Sequence, residues 1–289
     1  MKRVGIFYHP LIEAAKPLTS RLEKVISQNG ASCWKCSAWE AEKTQELLTN
    51  TELVLSVGGD GTILRAARAI APRRIPILGI NLGRVGFMTL LSPDEAMSKL
   101  PHFLSGEGYV EERTMLRADY QPQRKGKKAT GESAQKTFHA LNDVYVGRGH
   151  SARAVQIRVV IDGELLATHR ADGVIVATAT GSTAYSLAAG GPILPPRSPE
   201  ILLQPVAPHL SLGNALVLPP DTTIELEVKT DAEALLSVDG QLDTDLKSGD
   251  TVTVRRSHGL ALFLNDKPPA FWYRVLMKRL QGKNDASNA

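Results

Sequence analysis

Aromatic residues make up only 5% of this 289-residue chain, and cysteine occurs twice. A structural zinc site takes about four ligands, so two cysteines exclude a zinc-stapled fold. Cys33-Trp34-Lys35-Cys36 has redox-motif spacing, but on a strand that spacing turns the thiols to opposite faces, and plain packing is the expectation. No apolar run approaches the ~20 residues that span a bilayer, and the start, Met1 to Tyr8, meets polar His9-Pro10 too early for a secretory signal. A cytoplasmic protein with no membrane partner is expected. Charge of one sign is also lacking, since 34 basic residues face 30 acidic ones for a net +4. Part of the excess sits in Arg124-Lys125-Gly126-Lys127-Lys128, which is short and has no aromatic residue, so no nucleic-acid partner is expected. The mild positive field suits phosphate-bearing ligands. The seven histidines show no ligand spacing, and no protein metal-ligand set is predicted.

What remains is an ordinary globular composition, 43% hydrophobic and 22% charged, in a chain long enough for two domains. The first hundred residues alternate short β-branched runs with amphipathic stretches, the pattern of a parallel sheet with covering helices. Strands are expected near Val4 to Tyr8, Ala31 to Ser37, Leu53 to Val57 and Ile75 to Ile80, and helices over Pro17 to Gln28, Asp60 to Ala71 and Ser92 to Leu104. After Gly108 the texture becomes that of alternating strands, among them Leu116 to Tyr120, His139 to Val146, Val155 to Ile161, Ile224 to Val228, Thr251 to Arg255 and Ala261 to Leu264. Asp162-Gly163 and Asp239-Gly240 carry turn chemistry, and residues 121 to 137, poor in large apolar groups, read as a mobile hairpin tip. Phe271 to Leu280 suits a closing helix, with a frayed tail after Gly282. The expected fold is an α/β N-terminal domain, doubly wound with a mostly parallel sheet (1–108), and a β-rich, sandwich-like C-terminal domain (109–266). The last helix (267–289) returns to the first domain.

The segment Leu53 to Thr62 runs an apolar strand into Gly58-Gly59-Asp60-Gly61-Thr62 and then a helix, the place where α/β proteins bind ligands. Its glycines let backbone N–H groups approach phosphate oxygens. A carboxylate there is unfavourable unless it takes a proton, orients a hydroxyl or helps hold a metal, although Asp60-Gly61 can also simply close a turn. The loop Asn81 to Phe87 either passes close to a ligand or packs through Phe87 and Met88. Asn142-Asp143 interrupts a strand pattern, which fits hydrogen bonds to ribose or adenine, or a strand-end turn. Gly181-Ser182-Thr183-Ala184-Tyr185-Ser186 follows an apolar strand and can open a helix, as a cap or as a binding element.

The Gly-Gly-Asp-Gly-Thr element resembles the signature shared by NAD kinases, diacylglycerol and sphingosine kinases and, more distantly, phosphofructokinases. Gly79 to Met88, Leu141-Asn142-Asp143-Val144, and Asp172 to Thr178 through Gly181 to Ile193 resemble NAD kinases in particular, in order and in spacing. Asp143 stands where many relatives have Glu, which keeps the charge and shortens the reach. The resemblance implies phosphoryl transfer to the 2′-hydroxyl of the adenosine ribose of NAD, giving NADP. ATP, another nucleoside triphosphate or polyphosphate is the donor, and a divalent metal, Mg²⁺, is held chiefly by the donor phosphates. It further implies that Asp60 accepts the proton, with Gly61 and Arg65 lining the site. Asn142, Asp143, Thr183, Ala184, Tyr185, Ser186, Leu187 and Ala188 then hold the adenosine, and Arg153, Arg170, Asp172 and Gln241 contact the dinucleotide. Substrate is expected in the crevice between the domains, and a homo-oligomer, a dimer or a tetramer, is implied.

Overall fold

The computed structural model describes residues 1–83, 86–123, 135–151, 153–209, 213–230 and 233–281. The basic run at 124–128, most of the hairpin tip around it and the tail lie outside the described residues. In chain order the first elements are β1 (Arg3–Tyr8), α1 (Ala15–Gln28), β2 (Ser32–Ser37), β3 (Leu53–Gly58), α2 (Asp60–Ile70), β4 (Pro76–Asn81), α3 (Pro93–Leu104), β5 (Tyr109–Gln121), β6 (Lys136–Ala140), β7 (Asp143–Arg148), β8 (Val155–Ile161) and β9 (Glu164–Ala171). They are followed by β10 (Gly173–Thr178), α4 (Tyr185–Ala188), β11 (Ile201–Val206), β12 (Leu216–Leu218), β13 (Ile224–Val228), β14 (Ala234–Val238), β15 (Leu242–Leu246), β16 (Thr251–Asn265) and α5 (Phe271–Leu280). The chain folds as two compact units, one comprising Met1–Ile70, Arg74–Glu111 and the chain from Leu262, the other Ala71–Arg73 and Glu112–Ala261.

In the first unit β2, β1, β3 and β4 lie side by side and parallel, and Leu262 and Phe263 of β16 run parallel to Pro76 and Ile77 of β4. β3 is buried along its whole length, which explains why it reads as an unbroken apolar run rather than as an alternation. Leu18, Leu22 and Ile26 of α1 and Leu100, Phe103 and Leu104 of α3 join Val4, Ile6, Leu55, Leu78 and Ile80 in one core. Gly79 points away from that core, and a Cβ built on it would lie 2.7 Å from Ile63, so α2 covers the other face. The sheet is doubly wound. A capping box between Ser92 and Glu95 starts α3. Burial raises the pKa of both Cys33 and Cys36, which are free thiols. The last helix belongs to this unit, where the Tyr109 hydroxyl donates to the Lys267 carbonyl and the Arg279 guanidinium lies 5.3 Å from the Phe87 ring centroid.

The second unit is a sandwich of two antiparallel sheets. One carries β16, β13, β8 and β9 in order, with β5 beside β16 and β6 beside β5; the other runs β12-β11-β10-β7-β14-β15. Leu116, Ile157, Leu226 and Val254 of the first face Val144, Val176, Leu203 and Leu236 of the second in a single core. Asp162 (φ 49°) and Gly163 (φ 89°) form the two-residue β8–β9 turn that their sequence announces.

Two sequence expectations are corrected. The strands expected over Thr251 to Arg255 and Ala261 to Leu264 are one strand, β16, because the intervening polar residues stay in the ladder. Ser257 is buried, with its Oγ 3.3 Å from His139 Nδ1, and Gly259 lets the backbone pass Pro72, where a Cβ would sit 3.2 Å from the proline Cα. The single strand expected over His139 to Val146 is two, β6 and β7, which pair in different sheets. The break falls at Leu141-Asn142.

Candidate active site

β3 delivers Gly58 and Gly59 to the start of α2, whose first residue is Asp60. Gly58 must lack a side chain, since a Cβ there would lie 2.2 Å from Thr62 Oγ1. The Asp60 carboxylate does not close its own turn. Its Oδ2 accepts the Phe87 N–H at 2.8 Å and its Oδ1 accepts the Met88 N–H at 3.2 Å, both from the loop after β4. Gly86 lies so close that a Cβ would sit 2.0 Å from Oδ1. Asn81 shapes the loop by donating its Nδ2 to the Gly83 carbonyl at 2.8 Å and accepting the Gly83 N–H at 3.2 Å. Two glycine-rich segments that read separately in sequence thus form one structure around a carboxylate, at the C-terminal ends of parallel strands. A carboxylate offers about four lone-pair sites, and two amides leave capacity for a substrate hydroxyl. Gly61 is exposed in the first turn of α2, and Arg65, half-buried, lies on the same helix.

In the second unit the Asp239 carboxylate organises the break between β6 and β7. It accepts the N–H groups of Leu141 at 3.1 Å, Asn142 at 2.7 Å and Asp143 at 3.2 Å, removing them from the ladder. Asp239 holds φ 53° at the β14–β15 turn, where the Gln241 N–H returns to the Val238 carbonyl at 3.0 Å. Thr178 reaches the same break, donating its N–H to the Asn142 carbonyl at 2.9 Å and its hydroxyl to the Leu141 carbonyl at 2.6 Å. Gly181 packs on Asn142 with no space for a Cβ, which would lie 2.0 Å from the Asn142 carbonyl oxygen. Asn142 Oδ1 and Ser186 Oγ are buried without a hydrogen-bond partner among the described residues, as is Thr180 Oγ1, which leaves acceptor and donor capacity beside this loop.

The helix expected to open at Gly181 is a 3-10 turn, Gly181–Thr183, followed by the single turn of α4. Gly190 (φ 88°) and Pro192 end it at once, so the segment presents side chains and loop amides rather than a helix terminus. Tyr185 stands 45% exposed, its ring centroid 5.8 Å from that of Tyr145. The Tyr145 ring fits over Gly147 and Gly173, each of which would clash with it if it bore a Cβ, and its hydroxyl donates to the Asp172 carbonyl at 2.7 Å. Asp172 pairs with Arg148 at 3.2 Å. Asn142, Asp143, Thr183, Ala184, Tyr185, Ser186, Asp172 and the Gln241 turn therefore share one neighbourhood. Arg153 and Arg170 are exposed, and among the described residues neither side chain makes a hydrogen bond or ion pair to that cluster. Nothing in the sequence marks Asp239 or Tyr145 as a site residue, because Asp239 reads as a turn residue and Tyr145 as strand.

Burial first, and the Asp239 charge second, push the Asp143 carboxyl up to about 7. The native state then keeps a proton that the unfolded chain has released, so this group's contribution to stability is expected to fall as pH rises from about 4 through about 7. Urea unfolding at a series of pH values checks this. Asp143→Asn should flatten that part of the profile, and superimposable slopes would refute it.

The model of the ATP-NAD kinase N-terminal domain matches residues 6–108, and that of the ATP-NAD kinase C-terminal domain matches 141–265. The NAD kinase of Dehalococcoides mccartyi strain CBDB1 is 46% identical over 286 residues, covering 99% of this chain and 98% of the relative. That of Chloroflexus aurantiacus strain J-10-fl is 39% identical over 97% of this chain and 99% of its own. Among solved structures, yeast NADH kinase complexed with NADH superposes with a TM-score of 0.81 at 27% identity, covering 98% of this chain and 89% of the other. An NAD kinase from Archaeoglobus fulgidus in complex with ATP gives 0.75 at 27% identity, covering 96% and 98%.

Proposed function

The chain belongs to the NAD kinase family, and on that premise we propose that Asp60 takes the proton of the NAD 2′-hydroxyl as that oxygen attacks the γ-phosphorus of ATP. The reaction is the phosphorylation of NAD to NADP. Phosphoryl transfer asks for positioning and charge neutralisation more than for covalent chemistry, which suits a carboxylate locked by backbone amides. The observation that carries the assignment is that both Asp60 oxygens accept N–H groups from the loop at 86–88 while keeping lone pairs free.

Asn142, Asp143 and the segment Thr183, Ala184, Tyr185, Ser186, Leu187 and Ala188 hold the adenosine in this reading. Asp172, Gln241, Arg153 and Arg170 contact the rest of the dinucleotide, and Gly61 and Arg65 line the phosphate side. The described residues contain no group of three or more His, Cys, Asp or Glu able to cage a cation. A divalent cation, Mg²⁺ in this reading, would be held chiefly by the donor phosphates and would neutralise their charge. Among the described residues no helix is long and apolar enough to cross a membrane, and the protein acts in the cytoplasm in this reading.

A lipid kinase is the competing activity for a Gly-Gly-Asp-Gly-Thr element. Product analysis with NAD and diacylglycerol as alternative acceptors separates the two. Phosphorylated NAD alone is expected, and a phosphorylated lipid would overturn the reading.

Self-association through the strand-rich unit is the expected assembly. β9 and β12 are sheet edges, and they expose Leu165, Leu166 and Val217. Light scattering should give a dimer or a tetramer, and a monomer at every working concentration would contradict it.

A further inference from the structure

Arg65 lies in α2, and helical side chains lean toward the helix N-terminus, which here is Asp60. Its neighbour Arg68 is paired with Glu42 at 3.5 Å, but among the described residues no carboxylate lies within ion-pair distance of Arg65. The Arg65 guanidinium carbon instead sits 4.4 Å over the centroid of the Trp39 ring. Trp39 is half-exposed, and its placement has three supports. Its backbone N–H donates to Ser37 Oγ at 3.2 Å, and the His9 ring meets its ring edge-on with centroids 4.6 Å apart. The 3-10 segment that carries it, Ala38–Thr44, is tied to α2 by the Glu42–Arg68 pair, and just beyond it Gln45 donates to the Ala69 carbonyl at 3.0 Å.

His9 extends this line of contacts to the glycine loop. Its backbone N–H donates to the Val57 carbonyl at 2.9 Å, and a Cβ on Gly58 would lie 3.2 Å from the His9 Cβ. Burial and the Arg65 charge hold the His9 pKa below its ordinary value, which favours the neutral ring, and its Nδ1 accepts the Leu11 N–H at 3.2 Å. Arg65 thus carries a positive charge with no acidic partner among the described residues, and its contacts lead through Trp39 and His9 to the glycine loop. A guanidinium that rests on an aromatic ring by its face keeps its N–H donors in the plane, where they can take a phosphate oxyanion in bidentate fashion.

We propose that Trp39 is a positioning residue, which holds the Arg65 guanidinium by its face so that its in-plane N–H groups meet a phosphate of the bound substrates. The inference rests on the reading that Arg65 lines the phosphate side of the site. The phosphate belongs either to the NAD pyrophosphate or to the ATP tail, and separate Michaelis constants for NAD and ATP distinguish the sources.

The test is steady-state kinetics on the full chain as wild type, Arg65→Ala, Trp39→Leu, Trp39→Phe and Trp39→Leu with Arg65→Ala, with thermal melting alongside. Arg65→Ala is expected to raise one of the two KM values about tenfold or more, the loss of a charge-assisted hydrogen bond. Trp39→Leu, which keeps bulk but removes the ring, should raise the same KM about two- to fivefold with kcat little changed. Trp39→Phe should restore most of the loss, and Trp39→Leu should add nothing once Arg65 is alanine. As a second readout, emission from Trp39, taken as the difference between wild type and Trp39→Phe, should change on adding the substrate whose KM moves. A raised KM in Arg65→Ala with no response in Trp39→Leu, or an equal response in both backgrounds, overturns the role of Trp39 alone. Unchanged KM values in Arg65→Ala overturn the reading of Arg65 and the proposal with it. If Trp39→Leu melts below the assay temperature, an unchanged emission with both substrates decides against the proposal.

Discussion

Asp60→Asn is expected to lower kcat by about 10² to 10⁴, the usual worth of general-base assistance. The amide is nearly isosteric and keeps one oxygen, so one of the two bonds from Phe87 and Met88 can persist and the loop at 86–88 retains an anchor. What it lacks is the capacity to take a proton, and a neutral hydroxyl is a poor nucleophile. NAD binding should change little, because the adenosine contacts are assigned to Asn142, Asp143 and the segment from Thr183 to Ala188. Removing one negative charge near phosphates can even tighten it, so the loss should appear in kcat rather than in KM. If Asp60 served only to shape the loop, asparagine would preserve turnover. Measuring kcat, NAD affinity and melting together separates the cases, and near-normal turnover in a folded variant would refute the assignment.

A second large effect is expected from Asp239→Asn, this time on stability. Asparagine tolerates the positive φ of this position, so the variant reports on the carboxylate and not on backbone strain. Three N–H groups, those of Leu141, Asn142 and Asp143, depend on its two oxygens. The amide offers one oxygen and turns its own NH₂ toward the others. Each buried donor left without an acceptor costs about 1–3 kcal/mol. At about 2–4 °C per kcal/mol for a protein of this size, melting should fall by several degrees. Removing the Asp239 charge also relieves its repulsion with Asp143, but only where Asp143 is ionised. Since Asp143 titrates near 7 in the wild type, that relief is confined to pH above about 7. The destabilisation should therefore be larger at about pH 5.5 than at about pH 8, while the Asp143 pKa falls. A variant that melts with the wild type at both pH values would contradict the scaffold role.

The Gly-Gly-Asp-Gly-Thr loop was legible in sequence because its determinants are local. An apolar strand, three glycines, a carboxylate and a helix onset fall within ten residues, and the structure places them as strand, loop and helix in that order. The turn at Asp162-Gly163 was legible for the same reason. The break in the strand at Leu141-Asn142 was not, because the group that causes it, the Asp239 carboxylate, lies 96 to 98 residues away in sequence. Nor does anything near Asp60 announce that its oxygens bind amides of Phe87 and Met88, 27 and 28 residues on. β16 reads as two strands because polar residues interrupt its apolar pattern between Arg255 and Ala261, whereas Gly259 serves a close backbone approach to Pro72. Trp39 reads as an ordinary surface aromatic until its partner, Arg65 on α2, is seen.

The most direct test incubates the purified protein with NAD, ATP and Mg²⁺ and measures NADP with an enzyme that accepts NADP but not NAD. The account predicts NADP formation that requires all three components and is all but lost in Asp60→Asn. Absence of NADP from a folded protein supplied with all three would contradict it.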